Sequence, residues 1–246
     1  MHALKLLAVL ALLAAPLQAS ADLRVGATRI VYQEGTESAP SVRVRNIGEQ
    51  PSLVQVWLDS GEREVPIEQL RMPLMVTPPI FRLEPGSNRD IQIRVADTSG
   101  LPKDRESLLW LNILDVPPRQ AGSNQKPLEF AMRWRLKVFH RPSGLPGSPD
   151  IAPEALQWSV QRDAQGRAVL KASNASAYFV SLSQLILDGR PVAIDPGSAQ
   201  VPPMGSWTHE VAETLPGRPQ HVPLTFVWID ARGVEHSAAG DAVHAE

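Results

Sequence analysis

The chain has 246 residues, a formal net charge of −2, no cysteine and 23 prolines. Near-neutrality removes the electrostatic case for binding nucleic acid or an anionic membrane surface. The missing thiols exclude thiolate chemistry and cysteine-based metal sites, and prolines at nearly twice the usual share leave little room for long helices.

The first 21 residues, MHALKLLAVLALLAAPLQASA, read as an export signal. Lys5 precedes an apolar run from Leu6 to Leu17, and Ala19-Ser20-Ala21 offers small residues for cleavage after Ala21. The run is too short to span a bilayer comfortably, which takes about 20 residues. Removing it with Lys5 takes the charge from −2 to −3 and leaves a chain for one large or two medium domains.

Short runs rich in Val, Ile, Leu and Thr then recur, separated by Gly, Pro, Asn and Asp. They are LRVGATRIVY from Leu23, SVRVRNIG from Ser41, SLVQVWLD from Ser52, RDIQIRVAD from Arg89 and ESLLWLNIL from Glu106. AVLKASN from Ala168, YFVSLSQLIL from Tyr178 and PLTFVWID from Pro223 complete the set. Regular strands with turn residues between them predict an all-β protein built of sandwiches. The only helical candidates, Pro66 to Leu70 and Pro153 to Gln157, are about one turn long.

LEFAMRWRLKVFHRP, Leu128 to Pro142, alternates strictly at its start. Leu128, Phe130, Met132, Trp134 and Leu136 are apolar, with Glu129, Ala131, Arg133 and Arg135 between them. Period two marks a strand with one apolar and one wet face. Taken alone, that face favours the strand's own core; a surface offered to another protein is the alternative. RPSGLPGSPD, Arg141 to Asp150, follows as a Pro/Gly-rich hinge. The chain therefore divides into a signal (1–21), a first domain (22–142), a hinge (143–149), a second domain (150–240) and a frayed tail (241–246), the small polar stretch beginning at Ala238.

Catalytic patterns are missing from the sequence. Six histidines are spread out without metal-ligand spacing, and no HExxH, GxSxG, P-loop or GxGxxG occurs. Asn174-Ala175-Ser176 fits a glycosylation sequon, a frequent chance match. Nothing suggests an enzyme, a metal or a cofactor.

Four collinear segments, ATRIVYQEG, VTPPIFRLEPG, DRESLLWLNILDVPP and LKVFHRP, resemble the periplasmic pilus chaperones of the chaperone–usher pathway. NASAYFV and WIDARG extend the likeness into the second half. The resemblance implies two immunoglobulin-like sandwiches set at an angle around a cleft. It also implies a non-enzymatic periplasmic protein that folds pilin subunits by donor-strand complementation and delivers them to an outer-membrane usher. It implies neither nucleic acid nor membrane insertion, and it leaves room for free copies to pair and cap the strand. A secreted two-domain adhesin or pilus subunit is the competing reading.

Residue by residue, the resemblance places the pilin's C-terminal carboxylate on Arg29, of Thr28-Arg29, and on Lys137. The donor series becomes Leu128, Phe130, Met132 and Trp134, each worth roughly 1.5–3 kcal/mol when buried. Glu106, Arg141 and Asp230 match a buried network between the domains, and Pro78 of Thr77-Pro78-Pro79 matches a cis-proline. The nine-residue stretch RQAGSNQKP resembles the short-loop branch that builds rod-like pili. One tension stands: strict alternation puts Lys137 on the face opposite the apolar row, so twist or a bulge would have to turn it toward the cleft.

Overall fold

The computed structural model describes residues 23–62, 64–118, 131–165, 167–211 and 221–244. The proposed signal, the loop 119–127 and the donor residues Leu128 and Phe130 lie outside them.

The first half contains β1 (Leu23–Val25), β2 (Arg29–Gln33), β3 (Ser41–Asn46), β4 (Ser52–Asp59), β5 (Leu74–Thr77), β6 (Ile80–Leu83), β7 (Asn88–Val95), β8 (Ser107–Val116) and β9 (Met132–Arg141). They form two sheets, β1-β3-β7-β5 and β2-β9-β8-β4-β6. Alternating sequence becomes alternating burial: Val42 and Val44 of β3 point inward while Ser41, Arg43 and Arg45 point out. Between the sheets Val44, Val54, Ile91, Ile93, Leu111, Ile113 and Val138 are fully buried. The Thr77–Pro78 peptide is cis.

The second half contains β10 (Gln157–Arg162), β11 (Ala168–Asn174), β12 (Val180–Leu187), β13 (Arg190–Val192), β14 (Gln200–Val201), β15 (Gly205–Glu210), β16 (His221–Ile229) and β17 (Glu235–His244). Their order is β13-β12-β16-β17-β10-β11-β15, with β14 beside β12. Trp158, Leu170, Val180, Leu182, Leu224 and Phe226 form a separate core. Two independent cores bear out the all-β, two-sandwich architecture.

Of the two helical candidates, the first holds a 3-10 turn, Ile67–Gln69, and the second is turns running into β10. The tail corrects the expectation of fraying. β17 continues to His244, paired with β16 from Glu235 to Val243 and with β10 over Ala242 to His244. Small residues there reflect close packing rather than disorder: Ala242 is fully buried, and a Cβ at Gly240 would sit 3.5 Å from the Trp158 ring.

The hinge is tied to the second domain. Gly144 and Gly147 take the positive φ that its turns require. The Tyr178 hydroxyl of the second domain donates to the Gly147 and Leu145 carbonyls at 3.3 and 3.4 Å.

A cationic cleft beside an open strand edge

β9 runs antiparallel to β8 in unbroken register from His140 opposite Ser107 to Met132 opposite Asp115. Alternation therefore holds through Lys137 with no bulge. What changes along the strand is what each face meets. Leu136 and Val138 point into the first domain's core, whereas Lys137, Phe139 and Arg141 point the other way, toward the second domain. Phe139 packs on Phe179 with ring centroids 5.7 Å apart. The wet face of the outer stretch becomes the cleft face, which resolves the tension over Lys137.

β2 pairs with β9 in parallel, and its first residue, Arg29, lies in register with Lys137. The two cations expected to act together are thus neighbours across one ladder. The Lys137 ammonium donates to the Pro196 carbonyl at 2.8 Å, and Arg29 Nη1 donates to the Ile229 carbonyl at 2.8 Å. Both acceptors are neutral second-domain backbone, and among the described residues neither cation has a salt bridge. Arg29 Nε is buried without a partner.

Burial is the main strain on both. Lys137 is only 8% exposed. Desolvation first, then the Arg29 charge, push its pKa from 10.5 down to about 8 against the pull of Asp195. Burial likewise lowers Arg29, with Asp230 pulling the other way.

The neighbouring cations on the same face are treated differently. Arg133 and Arg135 both pair with Asp59, which is 1% exposed, and Asn112 Nδ2 donates to the same carboxylate at 2.7 Å. Arg133 covers Trp57 with 4.9 Å to the ring centroid, and Arg135 covers Trp110 at 4.5 Å. Sequence reading missed this group. Its trace was polar Asp59 and Asn112 inside otherwise apolar strands. One carboxylate thus offsets part of the charge of two arginines, whereas the cleft pair has no carboxylate within salt-bridge distance among the described residues.

β2 reaches β9 only from Lys137 onward. Over Met132 to Leu136, β9 pairs with β8 on one side, and its other edge carries no strand among the described residues. Met132 is 44% exposed beside that edge. Trp134 departs from expectation. It faces Ile113 across the ladder and packs, half buried, on its own domain's core. The core ends at Trp134, so Met132 is the first residue of the row to clear it.

The expected interdomain network forms in part. Arg141 Nε donates to Glu106 at 2.6 Å, and the other Glu106 oxygen accepts the Phe179 amide at 2.8 Å. Burial pushes the Glu106 carboxyl up, opposed by Arg141 and that amide. Asp230 is a correction: it closes its own turn. It accepts the amides of Val234 at 2.8 Å and Arg232 at 2.9 Å, and lies 3.1 Å from His236. Burial raises its pKa, but those bonds prevail and hold it at about 2. Its link to the cleft is through-space attraction on Arg29. WIDARG is a tight turn, and its hydrogen bonds use Asp230 locally.

Fold and site together define a two-domain β-sandwich protein with paired cations at the foot of its cleft. Residues 22–146 match the family described as pili and flagellar-assembly chaperone, PapD N-terminal domain, and residues 151–239 match pili assembly chaperone PapD, C-terminal domain. The chain belongs to this chaperone family. It is 38% identical over 180 residues to the probable fimbrial chaperone YadV of Escherichia coli strain K12, covering 71% of this chain and 72% of YadV. Identity to the chaperone protein FimB/FhaD of Bordetella pertussis is 37% over 171 residues, 68% of each chain. The solved YadV structure matches with a TM-score of 0.72 at 30% identity, over 90% of this chain and all of that one. A solved complex of Salmonella enterica SafA pilin with the SafB chaperone matches with a TM-score of 0.73 at 27% identity, over 93% of this chain and 98% of the matched one.

Proposed function

We propose that this protein is a non-enzymatic periplasmic chaperone that holds pilin subunits by strand donation and passes them to an outer-membrane usher, with residues 1–21 as its export signal. One observation carries the reading: a buried Lys137 and a half-buried Arg29 stand side by side, without a salt bridge, at the end of a strand edge that is unpaired among the described residues. A subunit's C-terminal carboxylate supplies the missing negative charge through charge-assisted hydrogen bonds to Arg29 and Lys137. With that end fixed, the subunit's strand adds along β9 from Leu136 outward, and Leu128, Phe130 and Met132 fill its open core.

The names of the relatives support this, since they are fimbrial chaperones and SafB was solved with a pilin. Trp134 is left out of the donor row because it serves its own domain. An adhesin or structural subunit fits less well, because both sandwiches here have complete cores.

Co-purification with a co-expressed subunit tests the clamp. Arg29→Ala and Lys137→Ala each lose a charge-assisted bond, a cost of roughly ten- to hundredfold in affinity, and the subunit drops out while the variants stay folded. Recovery of the complex with both variants overturns the clamp.

A further inference from the structure

We propose that the second-domain turn Asp195–Ala199 is a built-in cap on Lys137, which the client's carboxylate must displace. The inference rests on Arg29 and Lys137 being the carboxylate site and concerns how that site is guarded.

The turn is closed on itself. The Asp195 carboxylate accepts the Gly197 amide at 2.9 Å and the Ser198 hydroxyl at 3.0 Å, while its carbonyl accepts the amides of Ser198 and Ala199 at 3.0 and 2.8 Å. Asp195 through Ser198 are exposed, and Ala199, 1% exposed, roots the turn in the second core. The Pro196 carbonyl reaches across the cleft to the Lys137 ammonium.

Three features make this an exchangeable cover. Lys137 is 8% exposed, so a carboxylate reaches it only if something moves. Trp110, which also flanks the ammonium, is fixed in β8 between β4 and β9. The exposed turn is the part free to give way. The incoming group also bonds better, since a carboxylate–ammonium hydrogen bond is about twice as strong as one to a neutral carbonyl. Asp195 adds a resident negative charge that partly offsets the buried ammonium while its oxygens stay engaged within the turn. The cap keeps Lys137 partnered when no client is present, and a ligand without a terminal carboxylate gains nothing by displacing it.

The probe is a short peptide copying the C-terminus of the co-purified subunit, with its end free or amidated. Free-acid peptide shifts the Gly197 and Ser198 amide resonances and speeds their hydrogen exchange; amidated peptide leaves both unchanged. Asp195→Ala and Pro196→Gly loosen the cap and bind the free-acid peptide roughly two- to tenfold tighter at pH 7, the span of one neutral hydrogen bond. If binding depends on Lys137 but the turn resonances stay still and both variants match the parent, the cap is overturned and the carboxylate site survives. If free and amidated peptides bind alike, and Lys137→Met changes nothing, the carboxylate site itself fails.

Discussion

At the scale of single residues, the free protein holds groups that are poorly placed for its own stability. Lys137 is buried with one neutral acceptor, and its pKa falls from 10.5 to about 8, equivalent to roughly 3 kcal/mol against the charged form. The sign follows from proton binding. At pH 7 folded and unfolded chains both carry the proton, so the full cost applies. Between about pH 8 and 10.5 the folded state has released it while the unfolded state keeps it, so stability rises with pH in that window. Lys137→Met should therefore unfold at higher denaturant than the parent at pH 7, with the gap closing by pH 10. A gap that does not depend on pH refutes the account. His140 acts at the opposite end of the scale. It is fully buried in phase with the core, stacked on Tyr32 at 5.8 Å, and neither ring nitrogen has a partner. Burial lowers its pKa below 6.5, Glu34 pulls it up and Lys103 pushes it down. Below pH 6.5 the unfolded chain gains a proton that the folded ring resists, so stability falls as pH falls through this window. His140→Phe should flatten that slope in urea titrations between pH 7 and 5.

At the scale of the element, β9 shows how far sequence reading reaches. Its alternation gave the strand and the inward face, because period two is a local property of the chain. The likeness to a family then assigned Arg29 and Lys137, 108 positions apart and connected by no local pattern, to one site, and the β2–β9 ladder puts them in register. What each face meets could not be read the same way. Lys137 is on the polar phase, and that phase is wet near Arg133 but covered by the second domain near Phe139. Trp134 shares the phase of Met132 but lies one pair further into the sandwich, where core replaces solvent. Asp230 was misread because the motif does not show that its turn consumes both oxygens. The edge itself yields a prediction. Met132→Arg places a charge on an exposed position without touching the core, so the unfolding midpoint should stay within about 0.5 kcal/mol of the parent. Subunit recovery should fall sharply, because the charge would have to enter the client's apolar groove. Full recovery by pull-down would remove Met132 from the donor row.

At the scale of the whole molecule, the question is what holds two separately cored domains at one geometry. Arg29 to Ile229, Lys137 to Pro196 and Arg141 through Glu106 to Phe179 all cross between them. The first two involve the cations proposed to receive the client, so they are contacts that binding perturbs. The third involves neither of those cations and is well placed to keep the frame. A buried ion pair is poor evidence for net stability, but leaving one member alone is costly. Arg141→Met should destabilise the protein by roughly 3–5 kcal/mol, because Glu106, already pushed up by burial, loses its cation and is left, among the described residues, with the Phe179 amide. Adding Glu106→Gln removes the orphaned charge and should return most of that loss. Stability and orientation then separate. If the pair aligns the domains, the double variant unfolds near the parent midpoint, yet its scattering profile broadens and its subunit affinity drops. A double variant that is stable, keeps the parent's profile and binds subunit normally would show that the Glu106–Arg141 pair does not set the cleft.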